Sequence, residues 1–246
     1  MANYTKKALT NVSIVFAISL AAAFFGYLVR IFFARNLTVE EFGLFYAVIA
    51  FLGLFGIFKS FGLDHSLIFF IPKFLAKHDF RSIKNSIFYA AIVLFISNIV
   101  FILLFLLSAK FLGVNYFHHE FAPTILILMA VSFFIDSFVF ILKFSFQGFQ
   151  RMTSFSSIDL TRMIFILIFS VIFFKMGYGL LSPVIAYILT PLLLLFIYGT
   201  VLYKSKRSIF IKNKFSWQIS LFNRLRKYGL QVLLTSSFGL IIAYSD

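Results

Sequence analysis

The chain alternates long apolar runs with short polar connections. Each run approaches the roughly 20 apolar residues that a helix needs to cross the hydrocarbon core of a bilayer. The pattern predicts six spans, at 12–33, 43–63, 86–109, 123–146, 156–174 and 181–203. Runs of this length and continuity are typical of helices and too long for the strands of a membrane barrel. The sequence therefore predicts an all-α, polytopic membrane helix bundle.

A seventh apolar run begins near Tyr228 and still continues at the last residue, Asp246. It predicts that the chain is the front part of a longer membrane protein. The predicted organisation is a six-helix lobe at 1–203, a basic connection at 204–227 and the start of a second lobe at 228–246. No small-residue cleavage site follows the first run, which favours a retained helix over a signal peptide.

Composition supports a membrane protein over a soluble one. Hydrophobic residues make up 62% of the chain and charged residues only 12%, although the formal net charge is +14. A soluble domain of this length could not bury that much apolar surface. The basic residues lie between apolar runs and not on one soluble face, so no nucleic-acid partner is expected. Without cysteine there is no disulfide framework.

The positions of the basic residues predict the orientation. Of the 22 Lys and Arg residues, 17 lie at the N-terminus, in the even-numbered connections or in the span ends that flank these connections, and four lie on the other side. The positive-inside rule then predicts a multi-pass protein of the cytoplasmic membrane, with a cytoplasmic N-terminus. The remaining one, Lys59, lies one turn from the inner end of span two, where snorkelling is expected.

The connection at 204–227 has two interpretations. Apolar residues recur at roughly helical spacing in its second half, and basic residues lie beside them. An amphipathic helix on the anionic inner leaflet would have this pattern. An ordinary basic loop that follows the positive-inside rule would have it as well. The apolar positions are Trp217, Leu221, Phe222 and Leu225.

Ionisable residues inside spans are expensive and are therefore candidate site residues. Asp136 lies about halfway along span four and shares a helical face with Ser132, Lys143 and Gln147. A face that is polar from the midplane to the cytoplasm should point into a bundle or a wet cavity. Asp136 and Lys143 are thus candidates for substrate binding, while a structural hydrogen bond from Asp136 to a neighbouring helix stays open as the alternative.

Arg30 lies about one turn from the outer end of span one. Ala22 and Gly26 share its face, and small residues allow close helix approach or leave room for a ligand. We expect this face to point inward, and the alternative is that Arg30 snorkels to the outer interface. In span five, Asp159 and Arg162 are three residues apart near the inner end of the span and can pair with each other. A cytoplasm-facing Arg162 that contacts phosphate is the other interpretation.

Motifs of several enzyme classes do not occur in the sequence. There is no G-x-x-x-x-G-K-[ST], no H-E-x-x-H and no cysteine/histidine cluster, so no nucleotide hydrolysis, cofactor or metal is expected. His118 and His119 are adjacent, and adjacent residues point apart on a helix. Intramembrane cations without a catalytic motif favour transport of an anionic substrate over an enzyme.

Two segments resemble a known family. The run R-I-F-F-A-R-N-L-T-V-E-E-F-G-L-F at 30–45 is similar to the first outer loop of Wzx-type polysaccharide-unit flippases. These belong to the MATE-like multidrug/oligosaccharidyl-lipid/polysaccharide superfamily. The run F-G-L-D-H-S-L-I-F-F-I-P-K-F-L-A-K at 61–77 is similar to the end of their second span. Most of the match is carried by Arg35, Glu41, Phe42, Gly43, Gly62, Leu63 and Asp64.

The resemblance implies a fold of two six-helix lobes around a central cavity, of which this chain supplies the first lobe and the start of helix seven. It implies transfer of polyprenyl-diphosphate-linked sugars between leaflets, with other membrane proteins of polysaccharide assembly as further partners. In the family, cationic cavity residues are thought to receive the diphosphate, and Arg30 matches that role. Two alternatives remain: a cation-coupled multidrug exporter and a polytopic membrane enzyme of polysaccharide assembly.

Overall fold

The computed structural model of the chain describes residues 2–56, 60–117 and 119–243. Lys59 and His118 lie outside the described residues, so the expectations for them stay predictions. The described elements are helical: α1 (Ala2–Asn36), α2 (Val39–Gly56), α3 (Leu63–Ala76), α4 (Phe80–Leu112), a π-helical turn (Gly113–Phe117), α5 (Ala122–Gly148), α6 (Met152–Lys175), α7 (Leu181–Ser205), α8 (Arg207–Lys212) and α9 (Ile219–Ala243).

The described part of the chain has six helices long and apolar enough to cross a membrane. They are Val12–Asn36 within α1, and the whole of α2, α4, α5, α6 and α7. The predicted all-α bundle with six spans is thereby confirmed. Span three is longer than expected, because α4 continues through the polar residues before Ser86.

The start of α2 explains part of the first family-like segment. The Thr38 backbone N–H donates to Glu41 Oε2 at 2.9 Å, and the Glu41 N–H donates to Thr38 Oγ1 at 3.2 Å. This reciprocal pair is a capping box, which satisfies two backbone donors that a helix start leaves without partners. Thr38 and Glu41 therefore fix the position at which α2 begins after α1.

The second predicted span is wrong as a single helix. We expected it to run through 43–63, but α2 ends at Gly56 and a separate helix, α3, begins at Leu63. Between them Phe61 and Gly62 have φ values of 48° and 74°. A left-handed backbone cannot continue a right-handed helix. The apolar run is thus divided into α2 and the 14-residue α3, which is too short to span.

Two backbone contacts fix the position of α3. A Cβ at Gly148 of α5 would lie 2.8 Å from the Leu67 carbonyl oxygen, so only glycine allows this approach. At its N-terminus α3 crosses α9, where a Cβ on Gly62 would lie 2.1 Å from the Gly229 oxygen. Ser66 Oγ donates to the Leu225 carbonyl at 3.0 Å in the same crossing. The start of α3 is therefore held against α9.

The basic connection is fastened to the start of α4. Lys84 Nζ donates to the Phe210 and Asn213 carbonyls at 2.7 and 2.8 Å. Asn85 and Tyr89 bond the backbone of Ser216 and Gln218. The last helix begins at Ile219, earlier than expected, and its Leu221 and Leu225 are buried. Whether the exposed side of this connection touches the leaflet stays a prediction.

Five of the long helices pack in a fixed order. Helix α1 packs along α6, α6 on α7, α7 on α5 and α5 on α4, while α2 lies against α5. The buried side chains form two clusters, one around α3 and the adjoining ends of α4, α5, α7 and α9, the other around α2 and the opposite ends of the bundle. A cavity lies between the two clusters, since Leu94 of the first and Leu52, Met129 and Ile166 of the second line it.

The orientation in the membrane is testable because the chain has no native cysteine. Ser208 and Met176 are exposed at opposite ends of α7 and its neighbours. With the N-terminus cytoplasmic, we expect Ser208→Cys to resist a membrane-impermeant maleimide in intact cells and to react after permeabilisation. Met176→Cys should react in intact cells. The reverse labelling pattern would contradict the predicted orientation.

Candidate functional site

The cavity lies among α2, α5, α6 and α7 and reaches the start of α3. Its volume is about 500 Å³, within the usual range for small-molecule sites of about 300–1,000 Å³. Most of its wall is apolar. The described residues with polar side chains in the wall are Ser60, Asp64, Ser132, Asp136, Arg162, Tyr187 and Thr190.

An ion pair crosses the cavity wall from α5 to α6. Arg162 Nη1 donates to Asp136 Oδ1 at 2.5 Å, and the two side chains are only 19% and 16% exposed. Both residues lie near the middle of their helices. The two interpretations of Asp136 therefore do not exclude each other, because its carboxylate lines the cavity and also ties two helices together. Removal of one partner from a buried ion pair strongly destabilises the folded protein.

A second ion pair joins the same two helices. Lys143 Nζ donates to Asp159 Oδ2 at 2.6 Å and lies 4.9 Å from the centre of the Phe155 ring. The expected pair between Asp159 and Arg162 within α6 is therefore wrong. Each of these residues instead pairs across to α5, because the antiparallel helices bring a carboxylate opposite each cation. Lys143 is absent from the described wall of the cavity.

Arg162 also lies farther from the end of its helix than the sequence suggested. We placed it near the inner end of its span, but α6 begins at Met152 and the residue lies close to the middle of that helix. Its Nε atom is buried and has no hydrogen-bond partner among the described residues. One donor of the guanidinium fork is thus unused beside the cavity.

A proline opens the backbone of α7 at the cavity. Pro191 lies inside α7 and has no N–H, so the carbonyl of Tyr187, four residues earlier, loses its helical donor. Ser132 Oγ of α5 donates to this carbonyl at 2.6 Å. The neighbouring Thr190 is 1% exposed, and its Oγ1 has no partner in the described part of the chain. This part of the wall thus combines a satisfied carbonyl with an unsatisfied hydroxyl.

A carboxylate from the start of α3 also lines the cavity. Asp64 Oδ1 accepts hydrogen bonds from Ser60 Oγ at 2.7 Å and from the His65 backbone N–H at 2.9 Å. These bonds close the turn that separates α3 from α2. The described charged residues of the wall are therefore two carboxylates, Asp64 and Asp136, and one guanidinium, Arg162.

Arg30 lies outside the described wall of this cavity. Its side chain is exposed on α1, with the guanidinium carbon 5.6 Å from the centre of the Tyr46 ring of α2. Tyr46 precedes Ile49, the first cavity residue of α2, by about one helical turn. Of the small residues on its face, Ala22 is buried and Gly26 faces α6, where a Cβ at Gly26 would lie 3.6 Å from Met163 Sδ.

The sequence identified some of these residues and missed others. The polar face of span four led to Asp136, and the ionisable residues of span five led to Arg162; the structure brings these two residues together. Thr190 and the Tyr187 carbonyl were missed, although Pro191 within an apolar span was a signal for an interrupted helix. Asp64 was noticed only as part of the family-like segment at 61–77. Arg30 and Lys143 were expected at one site with Asp136 and Arg162, yet neither is in the described wall.

Comparison with known proteins supplies a family and one relative. The family model described as "Polysaccharide biosynthesis protein" matches residues 8–246. An uncharacterized membrane protein of Methanocaldococcus jannaschii, MJ1068, is 31% identical in an alignment that covers 99% of this chain. The chain spans about half the length of that relative, since the match covers 50% of it. No solved structure matches the chain.

Proposed function

The chain belongs to the polysaccharide biosynthesis protein family, and from this premise we propose that it is one lobe of a flippase for lipid-linked glycans. The substrate is a polyprenyl-diphosphate-linked oligosaccharide that passes across the cytoplasmic membrane. The lobe rocks against a second one, so that the substrate site faces first one side of the membrane and then the other.

The cavity between the two buried clusters is the observation that carries this proposal. Two of the apolar runs around it are interrupted: the run at 43–63 is broken between α2 and α3 by the left-handed Phe61 and Gly62, and α7 contains Pro191. Secondary transporters place their substrate sites at such discontinuous helices near the middle of the membrane. The interruption provides backbone and side-chain groups that a continuous apolar helix cannot offer to a polar substrate.

The direct test is transport by the purified full-length protein in proteoliposomes. A fluorescent polyprenyl-diphosphate-linked oligosaccharide is placed in one leaflet, and its arrival in the other is measured by its accessibility to a membrane-impermeant quencher. We expect faster transfer than in protein-free liposomes. Transfer no faster than in protein-free liposomes, with folded protein present, would reject the flippase.

Arg30 is the residue we propose for the diphosphate. Its exposed guanidinium lies over the ring of Tyr46, and Tyr46 is about one turn of α2 away from the cavity residue Ile49. A guanidinium can hold a phosphate through two parallel hydrogen bonds, whereas a lysine keeps only the charge. Arg30→Ala should weaken binding of the lipid-linked substrate by about 1.5–3 kcal/mol, roughly ten- to a hundredfold. Arg30→Lys should retain part of the affinity.

The control for Arg30 is the other outer arginine, Arg35, which lies in the last turn of α1. Arg35→Ala removes the same charge from the same end of the protein. We expect it to change substrate affinity by less than Arg30→Ala. Equal effects of the two substitutions would indicate a general electrostatic contribution, and unchanged affinity in Arg30→Ala would mean that Arg30 only snorkels.

A cation-coupled multidrug exporter is the second candidate. It is favoured by the two carboxylates in the described wall, Asp64 and Asp136, since a cationic drug requires an acidic site. Efflux of tetraphenylphosphonium from the same proteoliposomes distinguishes the candidates. A drug exporter should transport this cation and lose the activity in Asp64→Asn, whereas the proposed flippase should not transport it.

A further inference from the structure

The described residues of the cavity wall have a charge and hydrogen-bonding pattern that differs from what a diphosphate needs. Its one described cation, Arg162, is already neutralised by Asp136 at 2.5 Å, and Asp64 adds a second carboxylate. A phosphate entering here would have to displace Asp136 from Arg162 and would then lie beside two carboxylates. The negative charges of the phosphate and of the two carboxylates would repel each other strongly in this mainly apolar cavity.

The same groups match a polyhydroxyl compound. Neighbouring hydroxyls of a sugar can donate to one carboxylate, and Asp64 Oδ1 already accepts two bonds while Oδ2 has no donor among the described residues. The buried Nε of Arg162 can donate to a sugar oxygen. The unpartnered Thr190 hydroxyl, 1% exposed in the wall, can both donate and accept.

The shape of the cavity is also suitable for a sugar. Its volume of about 500 Å³ has room for a sugar residue and not for a polyprenyl chain. The wall also carries the rings of Phe133 and Phe140. Polar groups at fixed positions in a mainly apolar wall are typical of sites that recognise a neutral ligand by hydrogen bonds.

We propose that this cavity binds an uncharged sugar of the transported glycan, while the diphosphate stays outside it. The inference rests on the proposed function, because it assigns one part of that substrate to one site. Asp64 and Thr190 are then the specificity-determining residues, and Arg162, held by Asp136, lines the same cavity. Arg30, about one turn away along α2, is the separate contact for the phosphate group.

The experiment compares binding of four probes to the purified full-length protein by calorimetry. One probe is a bare polyprenyl diphosphate, and the others are the same lipid bearing glucose, galactose or N-acetylglucosamine. At least one sugar-bearing probe should bind more tightly than the bare lipid. Thr190→Val should remove that advantage in part, about three- to tenfold for a single hydrogen bond, and leave affinity for the bare lipid unchanged.

Thr190→Val is a mild substitution, because the side chain keeps its shape and the hydroxyl has no partner to lose. Ser182→Ala is the matched control, since it removes another buried and unpartnered hydroxyl of α7 that lies outside the cavity wall. It should leave binding of every probe unchanged. Asp64→Asn should reduce the sugar-dependent part of the affinity more strongly than Thr190→Val.

Three results would overturn the inference while the flippase stands. In the first, the bare lipid binds as tightly as every sugar-bearing probe. In the second, Thr190→Val weakens the bare lipid and the sugar-bearing lipids equally, which would place the diphosphate in the cavity. In the third, tetraphenylphosphonium binds and competes with the sugar-bearing lipid, which would make the cavity a cation site. Failure of all four lipids to bind would instead reject the proposed function.

Discussion

Replacement of Arg162 by methionine is expected to remove most of the folded protein. The Arg162 and Asp136 side chains are 19% and 16% exposed, and their atoms lie 2.5 Å apart between two helices. Methionine keeps the apolar stem but leaves the carboxylate without its guanidinium. Breaking a buried pair in this way costs about 3–5 kcal/mol, which is a large part of the stability of most proteins.

The measurement is the yield of monodisperse protein in detergent together with its thermal unfolding temperature. The double variant Asp136→Leu/Arg162→Met removes both charges, and we expect it to regain most of the folded yield, because apolar replacement of a whole buried pair is often neutral or stabilising. Transport by the double variant should stay low if substrate binding in the cavity depends on the two charged groups. A single variant as stable as the unaltered protein would contradict the assignment of a buried pair.

The second ion pair provides the internal control. Asp159 is 41% exposed, so it is enclosed by protein much less than Asp136 is. Lys143→Met should therefore cost about 1 kcal/mol or less. The contrast between the two positions tests burial itself, since both substitutions break one ion pair between α5 and α6.

Asp136→Asn separates a structural role from a role in transport. An asparagine can still accept a hydrogen bond from Arg162 at nearly the same position, so folded yield should fall less than in Arg162→Met. Transport per folded molecule should fall as well if the carboxylate takes part in transport. Normal transport per molecule with a reduced yield would leave Asp136 with a purely structural role.

Substitution of Gly62 by alanine is the second change with a large expected effect. The residue has φ 74°, where an L-residue is disfavoured by about 1–2 kcal/mol. Its Cβ would also lie 2.1 Å from the carbonyl oxygen of Gly229, a backbone atom that cannot rotate away. Helices α3 and α9 would have to separate, so we expect a low folded yield and a lower unfolding temperature.

The matched control is Gly199→Ala in α7. A Cβ at Gly199 would meet nothing within 4 Å, and the residue lies inside a regular helix. Alanine there should be neutral or stabilising, by up to about 1 kcal/mol. Equal folded yield and equal unfolding temperatures for Gly62→Ala and Gly199→Ala would show that α3 and α9 do not make the close crossing.

The six spans could be predicted from the sequence because membrane insertion depends on local composition. A run of about 20 apolar residues has few alternatives to a spanning helix, since every backbone polar group must be satisfied within the run. The boundaries of α5, α6 and α7 consequently differ from the expected ones by only a few residues. The capping box at Thr38 and Glu41 is also local, because it joins residues three positions apart.

The break between α2 and α3 was decided by tertiary structure. Phe61 and Gly62 lie in an apolar run that hydropathy alone extends through 43–63. The left-handed turn is held by the Ser60–Asp64 hydrogen bond and by the crossing with Gly229, which is more than 160 residues away in the chain. A hydropathy pattern contains no information about such a contact.

The partners of the intramembrane charges were decided in the same way. Asp159 and Arg162 are close enough in sequence to pair, and the local rule for helices favoured that arrangement. The packing of α5 beside α6 instead offers each of them a partner of opposite charge on the other helix. The sequence by itself determined which residues cross the membrane and which charges are costly there. Only the tertiary structure decided which helix faces meet, because that choice depends on the shape and charge of all neighbouring helices together.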